Sequence, residues 1–364
     1  MTLALLIAGL LLLLMGAEVF VRGAARLAAS LGISPLVIGL TVVALGTSSP
    51  EIAVSVRSCL VDQSDLALGN VVGSNIVNIL LILGAAAAIA PLTVAQHLVR
   101  LDVPIMIAAS VLVLLLGLDG RIGRADGLLL VSGATVYTIF LIMQSRKESR
   151  AVQAEYAEEF SPPRGQAARQ WFLNLSLIGG GLLLLALGSR WLVVSAVAVA
   201  HAWGMSELII GLTVVAVGTS LPELATSVIA SVRGERDIAV GNVIGSCIFN
   251  LLVVLGVAAV VAPEGIQVSA AALRFDIPVL IAVTVACLPI FFHGGAIWRW
   301  EGFLFLAYYL AYTTYLILAA TGHQSLRLFS TVMTIFVIPL TIVTVIAVMV
   351  RNVRRSRHQV ELEI

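Results

Sequence analysis

The sequence predicts an all-α, polytopic membrane protein made of two inverted five-helix repeats plus one extra C-terminal transmembrane helix, eleven spans in all. Three observations predict it. Of the 364 residues, 60% are hydrophobic and 11% are charged, and the mean hydropathy is +1.08. Apolar stretches of spanning length recur along the whole chain, and one half of the chain repeats the other at a fixed offset. A soluble chain of this size carries roughly a quarter charged residues to clothe its surface, so most of this surface faces lipid. A net charge of +1 with scattered Lys and Arg excludes a nucleic-acid binder. Cys59, Cys247 and Cys287 are odd in number and lack CxxC spacing, which argues against a disulfide framework or a zinc site.

A helix rises about 1.5 Å per residue and needs about 20 apolar residues to cross a hydrocarbon core about 30 Å thick. Eleven stretches meet that demand, at 2–21, 34–58, 66–90, 101–118, 126–143, 171–197, 206–231, 238–262, 273–292, 301–320 and 328–350. The opening MTLALLIAGLLLLLMG has neither a basic n-region nor a small-residue cleavage site, so it reads as the first span and not as a removable signal. The long polar segment 144–170 separates five spans from six. The expected domains are therefore a first repeat over 1–143, a polar cytoplasmic loop over 144–170, a second repeat over 171–320, and an additional span with a basic tail over 321–364. With the N-terminus outside, inner loops and tail hold fifteen Lys and Arg residues and the outer side holds six, so the positive-inside rule places the N-terminus outside and the C-terminus in the cytoplasm of a bacterial inner (plasma) membrane.

Self-comparison reveals an offset of 172. SPLVIGLTVVALGTSSPEIAVSV from Ser34 aligns without gaps to SELIIGLTVVAVGTSLPELATSV from Ser206, with 17 of 23 positions identical; GNVVGSNIVNILLILG from Gly69 aligns to GNVIGSCIFNLLVVLG from Gly241, with 10 of 16 identical. Each repeat holds five spans, and an odd number of crossings makes the second copy enter from the opposite side. Inverted repeats are the architecture of secondary transporters, whose substrate site lies near the bilayer midplane between the halves.

Within the second and seventh spans Glu51 and Glu223 each follow a proline. A charge at that depth costs at least about 2.5 to 3.5 kcal/mol and marks a functional site by default. Pro50 and Pro222 remove hydrogen-bond donors, freeing carbonyls near Gly46 and Thr47 and near Gly218 and Thr219. Freed carbonyls inside a membrane must be satisfied otherwise, and a cation does so while neutralising the carboxylate. Thr47 and Ser55 flank Glu51 at four-residue spacing, as Thr219 and Ser227 flank Glu223. The third and eighth spans carry Asn70, Ser74 and Asn78, and Asn242, Ser246 and Asn250, each triplet one polar stripe beside small-xxx-small pairs, Gly69 with Gly73 and Gly241 with Gly245. Donors that are all oxygen suit hard ions such as Ca²⁺ and Na⁺. One Pro or Glu alone would read as a kink or a paired structural charge; the doubling argues against that. Asp102 and Asp276, each two residues before a proline at the start of a span, read as helix N-caps, with Asp126 and Glu301 similar. Glu18 and Arg190 occupy equivalent positions with opposite charges and receive no role. The five histidines lie outside the repeat core.

The doubled ALGTSSPE with GNVVGSNIVNILL, and AVGTSLPE with GNVIGSCIFNLL, resemble the two alpha repeats of the cation/Ca²⁺ exchanger superfamily, in particular its prokaryotic Na⁺/Ca²⁺ exchangers. The resemblance implies an antiporter in which Glu51 and Glu223 are the central ligands of transported Ca²⁺ and Na⁺. It adds Thr47, Ser48, Thr219 and Ser220, then Ser74, Asn78, Ser246 and Asn250 from the facing helices, and more weakly the carbonyls of Ala44 and Ala216. It further implies that the first and sixth spans slide across this core to switch access. Three features depart from the family pattern. Asn250 stands where some prokaryotic and K⁺-dependent members have Asp, Cys247 replaces the Asn found at Asn75, and the eleventh span is additional to the usual ten. No resident cofactor, nucleic acid or obligate protein partner is expected; the partners are the ions and the bilayer. The competing readings are an H⁺/Ca²⁺ exchanger, an intramembrane acid protease or other membrane enzyme, and a channel. An acid protease gives no reason for duplicated prolines or Asn/Ser stripes, and the inverted repeat favours antiport over a channel.

Overall fold

The computed structural model describes residues 2–31, 33–61, 63–145, 167–205, 210, 213–214, 216–292 and 295–343. The centre of the polar loop, much of the first half of the seventh span, and the basic tail lie outside the described residues. Among those described, nine helices are long and apolar enough to cross a membrane, ten when one bent pair is counted as a span. Span 1 is Thr2–Ser30, span 3 Leu66–Ile89, span 4 Leu98–Leu116, span 5 Arg124–Met143, span 6 Trp171–Ala202, span 8 Arg236–Val261, span 9 Ala272–Phe291, span 10 Arg299–Ala320 and span 11 Leu326–Val343. Span 2 is the bent pair, Pro35–Thr47 followed by Ser49–Leu60 at 43°. Its break coincides with Pro50, whose missing N–H and bulky ring disfavour a continuous helix. The described part of span 7 has the same interruption, with Ala216–Gly218 separated from Leu221–Arg233 by Thr219 and Ser220.

Spans 3 and 8 form the interior, and Gly, Ala and Ser allow their neighbours to approach closely. A Cβ on Gly245 would meet the Leu40 carbonyl at 2.7 Å, and one on Gly241 the Leu36 carbonyl at 2.8 Å, so span 8 rests directly on the first half of span 2. Gly127 of span 5 packs against Gly256 of span 8, and Gly302 of span 10 against Gly84 of span 3, so each repeat's fifth helix clasps the other repeat's core. Span 11 lies at the periphery, tied to span 10 by Tyr308 Oη donating to Thr341 Oγ1 at 2.7 Å.

Two short antiparallel ribbons express the same two-fold relation. Strand β1 (Leu92–Thr93), between spans 3 and 4, pairs with β4 (Ala296–Ile297), between spans 9 and 10; β2 (Arg121–Ile122), between spans 4 and 5, pairs with β3 (Ile266–Gln267), between spans 8 and 9. Paired loops must lie on one face of the membrane. Even numbers of crossings separate both pairs, as the eleven-span order demands.

The capping expectation needs correction at four acids. Helix is already formed ahead of Asp102, with a wide π turn over Leu98–Asp102 leading into span 4; Asp102 is buried inside the helix and accepts from Tyr137 Oη of span 5 at 2.9 Å. Asp276 likewise ends the π turn Ala272–Asp276 and is hydrogen-bonded to Tyr312 of span 10. These two acids join the fourth helix of each repeat to its fifth. Asp126 and Glu301 do stabilise helix starts, but from the third helical position, accepting the N–H of Gly123 and of Trp298, each at 2.8 Å.

Spans 1 and 6 form a separate antiparallel pair. Glycines seven residues apart, Gly9, Gly16 and Gly23, face span 6, where Gly181 and Gly188 answer them. A Cβ on Gly188 would meet the Leu13 N–H nitrogen at 2.6 Å, and one on Gly16 the Leu185 nitrogen at 2.7 Å. Because the obstacle is backbone, the helices themselves must move apart to admit a methyl group, an overpacking cost of about 1–3 kcal/mol. Gly188→Ala and Gly16→Ala are each expected to lower the Tm in detergent by several degrees. Gly133→Ala, where an added Cβ meets nothing within 4 Å, should leave it unchanged or raise it.

Candidate ion-binding site

The two breaks bring the repeats together across a crossed set of hydrogen bonds. Glu51 and Glu223 are both fully buried. Ser220 Oγ, from the break of span 7, donates to Glu51 Oε1 at 3.1 Å, and Ser48 Oγ, from the break of span 2, donates to Glu223 Oε1 at 3.1 Å. Each serine can reach across because the chain leaves helical geometry there: Ser48 has ψ 6° and Ser220 ψ 10°. The proline that interrupts the helix thus also aims the residue two places before it at the partner carboxylate.

A second layer fixes this arrangement. Asn242 Nδ2 donates to Ser227 Oγ at 2.8 Å and to the Glu223 carbonyl at 3.4 Å, while its Oδ1 accepts from Thr47 Oγ1 of the other repeat at 3.1 Å. Asn70 repeats the pattern, donating to Ser55 Oγ at 3.0 Å and to the Glu51 carbonyl at 3.3 Å and accepting from Thr219 Oγ1 at 3.5 Å. Sequence reasoning placed both asparagines on the polar stripes without a role; here they are brackets that use every side-chain atom to splice two repeats. The period of four that put them in line with Ser74 and Asn78 was the available signal. Thr47 and Thr219 are engaged with these brackets through their hydroxyls, and the Ala44 carbonyl accepts the Ser48 N–H at 3.0 Å. Ala216 opens the short helix Ala216–Gly218.

One freed carbonyl was also predicted near Gly218. It accepts from Ser189 Oγ of span 6 at 3.2 Å. The equivalent of Ser189 in span 1 is Ala17, so the first repeat has no matching hydroxyl. That mismatch was visible in the alignment and lay outside the motif blocks.

The buried oxygens with no hydrogen-bond partner among the described residues include five on the elements that carry the two motifs: Glu51 Oε2, Glu223 Oε2, Asn78 Oδ1, Asn250 Oδ1 and Ser246 Oγ. Ser74 is buried in the same stripe as Asn78. Asn78 lies in the wide π turn Val77–Leu83 and Asn250 opens the π turn Asn250–Val254, a feature that often marks functional positions in helices. An unpaired buried polar group costs about 1–3 kcal/mol, and a carboxylate more. Two carboxylate oxygens, two amide oxygens and a hydroxyl left over in one interior are the donor set of a hard cation. Among the described residues there is no group of three or more His, Cys, Asp or Glu, so a soft-metal centre has no ligands here. Beside this core a cleft of about 680 Å³ runs between the breaks and span 6, lined by Thr47, Ser49, Thr219, Ser189 and Arg190 among others.

The sodium/calcium exchanger protein family model matches residues 1–143 and 173–318. The inner membrane protein YrbG of Escherichia coli is 40% identical over 289 residues, 78% of this chain and 87% of its own length. The sodium/calcium exchanger MaX1 of Methanosarcina acetivorans is 32% identical over 337 residues, 84% of this chain and 96% of its own. A solved structure of the sodium-calcium exchanger NCX_Mj superposes with a TM-score of 0.71 at 30% identity, covering 85% of this chain and 96% of that one. With its doubled motif, its two-fold fold and these relatives, the chain belongs to the sodium/calcium exchanger family.

Proposed function

We propose that this chain expels Ca²⁺ by admitting Na⁺ down its gradient, the two ions occupying the Glu51–Glu223 core in turn as the molecule opens to one side and then the other. The observation that carries the reading is the crossed pairing of Ser48 with Glu223 and of Ser220 with Glu51, which leaves one oxygen of each buried carboxylate available. By formal charge the core is −2: one Ca²⁺ balances it, and so do two Na⁺. Binding a third Na⁺ would leave an excess positive charge, and exchange would then move net charge through the membrane field. Ser48, Ser220, Thr47 and Thr219 complete the core, Asn78, Asn250, Ser74 and Ser246 contribute neutral oxygens from the facing helices, and the carbonyls of Ala44 and Ala216 are weaker contributors. The ions are cargo, and no resident cofactor or enzymatic step enters the scheme.

The charge distribution supports an orientation with the N-terminus outside and the β1–β4 face in the cytoplasm, in a bacterial inner membrane like that named for YrbG. A cysteine placed in the 144–170 loop and a reporter fused after Arg357 are expected to register together as cytoplasmic. Registering on opposite faces would remove a span from this order.

Na⁺ is favoured over H⁺ as the coupling ion because the amide oxygens left open beside the two acids, those of Asn78 and Asn250, are neutral and titrate no proton. The test is ⁴⁵Ca²⁺ uptake into Na⁺-loaded proteoliposomes, against K⁺-loaded vesicles and a pH jump. Uptake should follow the Na⁺ gradient and need no K⁺ on either side, since Asn250 provides no third carboxylate to hold one. Uptake driven by the pH jump alone would replace Na⁺ with H⁺, and a strict K⁺ requirement would sink the charge count.

Glu51→Gln and Glu223→Gln should each nearly abolish this flux while the purified protein stays folded, because the amide keeps the volume but loses the charge that offsets cation dehydration. Asp102→Asn, which preserves an acceptor for Tyr137, should cost far less. Near wild-type exchange in both glutamine variants would move the site elsewhere.

A further inference from the structure

Away from the ion core, a carboxylate of span 1 ties the pair formed by spans 1 and 6 to the end of span 7. Arg233, the last residue of span 7, donates from Nε to Glu18 Oε2 at 2.8 Å and from Nη2 to Glu18 Oε1, so both oxygens of one acid are held by one guanidinium. Arg22, one turn along span 1, pairs with the same carboxylate. Gly234, at φ 82°, ends the helix directly after Arg233 and so leaves its side chain at a fixed terminus.

The position of this contact relative to the cleft is informative. At the level of Phe20 and Gly23, span 1 lies against Gly181 and Ile178 of span 6. The cleft runs the other way along span 6, from Leu182 to Val194, and reaches Arg190. The helix pair is therefore pinned by the ion pair toward one face, while toward the other a cleft lies between it and the breaks, bridged by Ser189 to the Gly218 carbonyl. In a perfect inverted repeat the two faces would be equivalent, and any preference between them must come from departures from the symmetry. The equivalent of Glu18 is Arg190 and that of Arg233 is Val61, which carries no charge.

We infer that Glu18 and Arg233 are positioning residues for transport: their ion pair latches spans 1 and 6 shut at the Arg233 face and biases the carrier toward the state open through the cleft. This rests on the exchange reading and adds to it the groups that set which side is open at rest. Both side chains are partly exposed, 26% for Glu18 and 42% for Arg233, so the latch is weak enough to break in every cycle.

Ala25 reports on it, lying seven residues after Glu18 on the same helix face and 3% exposed. In the full chain carrying Ala25→Cys and reconstituted in vesicles, a membrane-impermeant maleimide added at the Arg233 face should react slowly, with the chain lacking that cysteine as the background. Glu18→Gln and Arg233→Gln should each raise the rate about two- to five-fold, the population shift that an exposed ion pair supplies. The double variant should exceed neither single, and Arg233→Lys should keep most of the slow rate. Equal rates in all variants, or additive increases in the double variant, would overturn the latch. The labelling needs no transport. This pattern in a chain without Na⁺-driven flux would therefore refute the exchange reading and uphold the latch, and flat rates in a chain that exchanges would do the reverse.

Discussion

Two carboxylates held in a membrane interior, with no basic residue among the partners described for them, are the constraint on which the rest of this structure depends. A continuous apolar helix offers nothing to a buried charge, so the helices that carry Glu51 and Glu223 have to be broken beside them, and proline does this without adding a donor. The break frees backbone groups and releases Ser48 and Ser220 from helical geometry. Because the chain is doubled and inverted, each released serine lands on the other repeat's glutamate. One oxygen of each acid is thereby satisfied by protein, and the other has no hydrogen-bond partner among the described residues. The same proline that costs helix stability thus supplies half of the crossed pairing.

Such a core needs backbones to pass closely, since side chains long enough to bridge wide gaps would fill the site. Glycine supplies that closeness in two different ways. At Gly241 and Gly245 it lets span 8 lie against the chain of span 2, which brings Asn242 within reach of Thr47 and keeps the two repeats in register. Between spans 1 and 6 the glycines lie seven residues apart along an antiparallel pair and bind those helices to each other, with Ser189 and the Glu18–Arg233 pair among their polar ties to the core. A pair that is tight within itself and lightly tied to its surroundings is suited to move as one body.

Much of this was legible in the sequence because duplication amplifies weak signals. Apolar length marked the spans, the offset of 172 revealed the inversion, and the paired GTSxPE segments pointed to the acids before any helix was placed. What the sequence hid was contact between elements. Spacing put Asp102 where a helix would start, yet helix is already formed ahead of it, with the π turn Leu98–Asp102 leading into the span, and the acid's partner, Tyr137, is 35 residues away along the chain. Asn70 and Asn242 lay on predicted stripes, but a stripe does not tell which of its residues bind cargo and which splice helices. Their splicing role depends on Thr219 and Thr47 arriving from the opposite repeat. Glu18 looked unaccountable because its partner lies 215 residues on.

In an inverted-repeat carrier, symmetry lets one core serve two faces and imperfections set which state is favoured at rest, while the ion gradients set the direction of net exchange. If spans 1 to 5 and 6 to 10 were identical, the states open to either side would be related by a two-fold rotation and equal in free energy, and resting population would be shared between them. Every asymmetric contact shifts that balance by its own worth. Ser189 caps the Gly218 carbonyl while Ala17 caps nothing; Cys247 places sulfur where Asn75 places an amide; Glu18 grips Arg233 while its counterpart Arg190 lines open space. None of these positions belongs to the strongly repeated blocks around the glutamates except Cys247, which lies on a face beside the ligands. The residues of the crossed pairing are thus nearly symmetric, and two of these three departures lie on spans 1 and 6. On the proposed exchange reading, that division keeps the core alike in both states and leaves the choice between them to contacts of about 1 kcal/mol, small enough for ion binding to reverse.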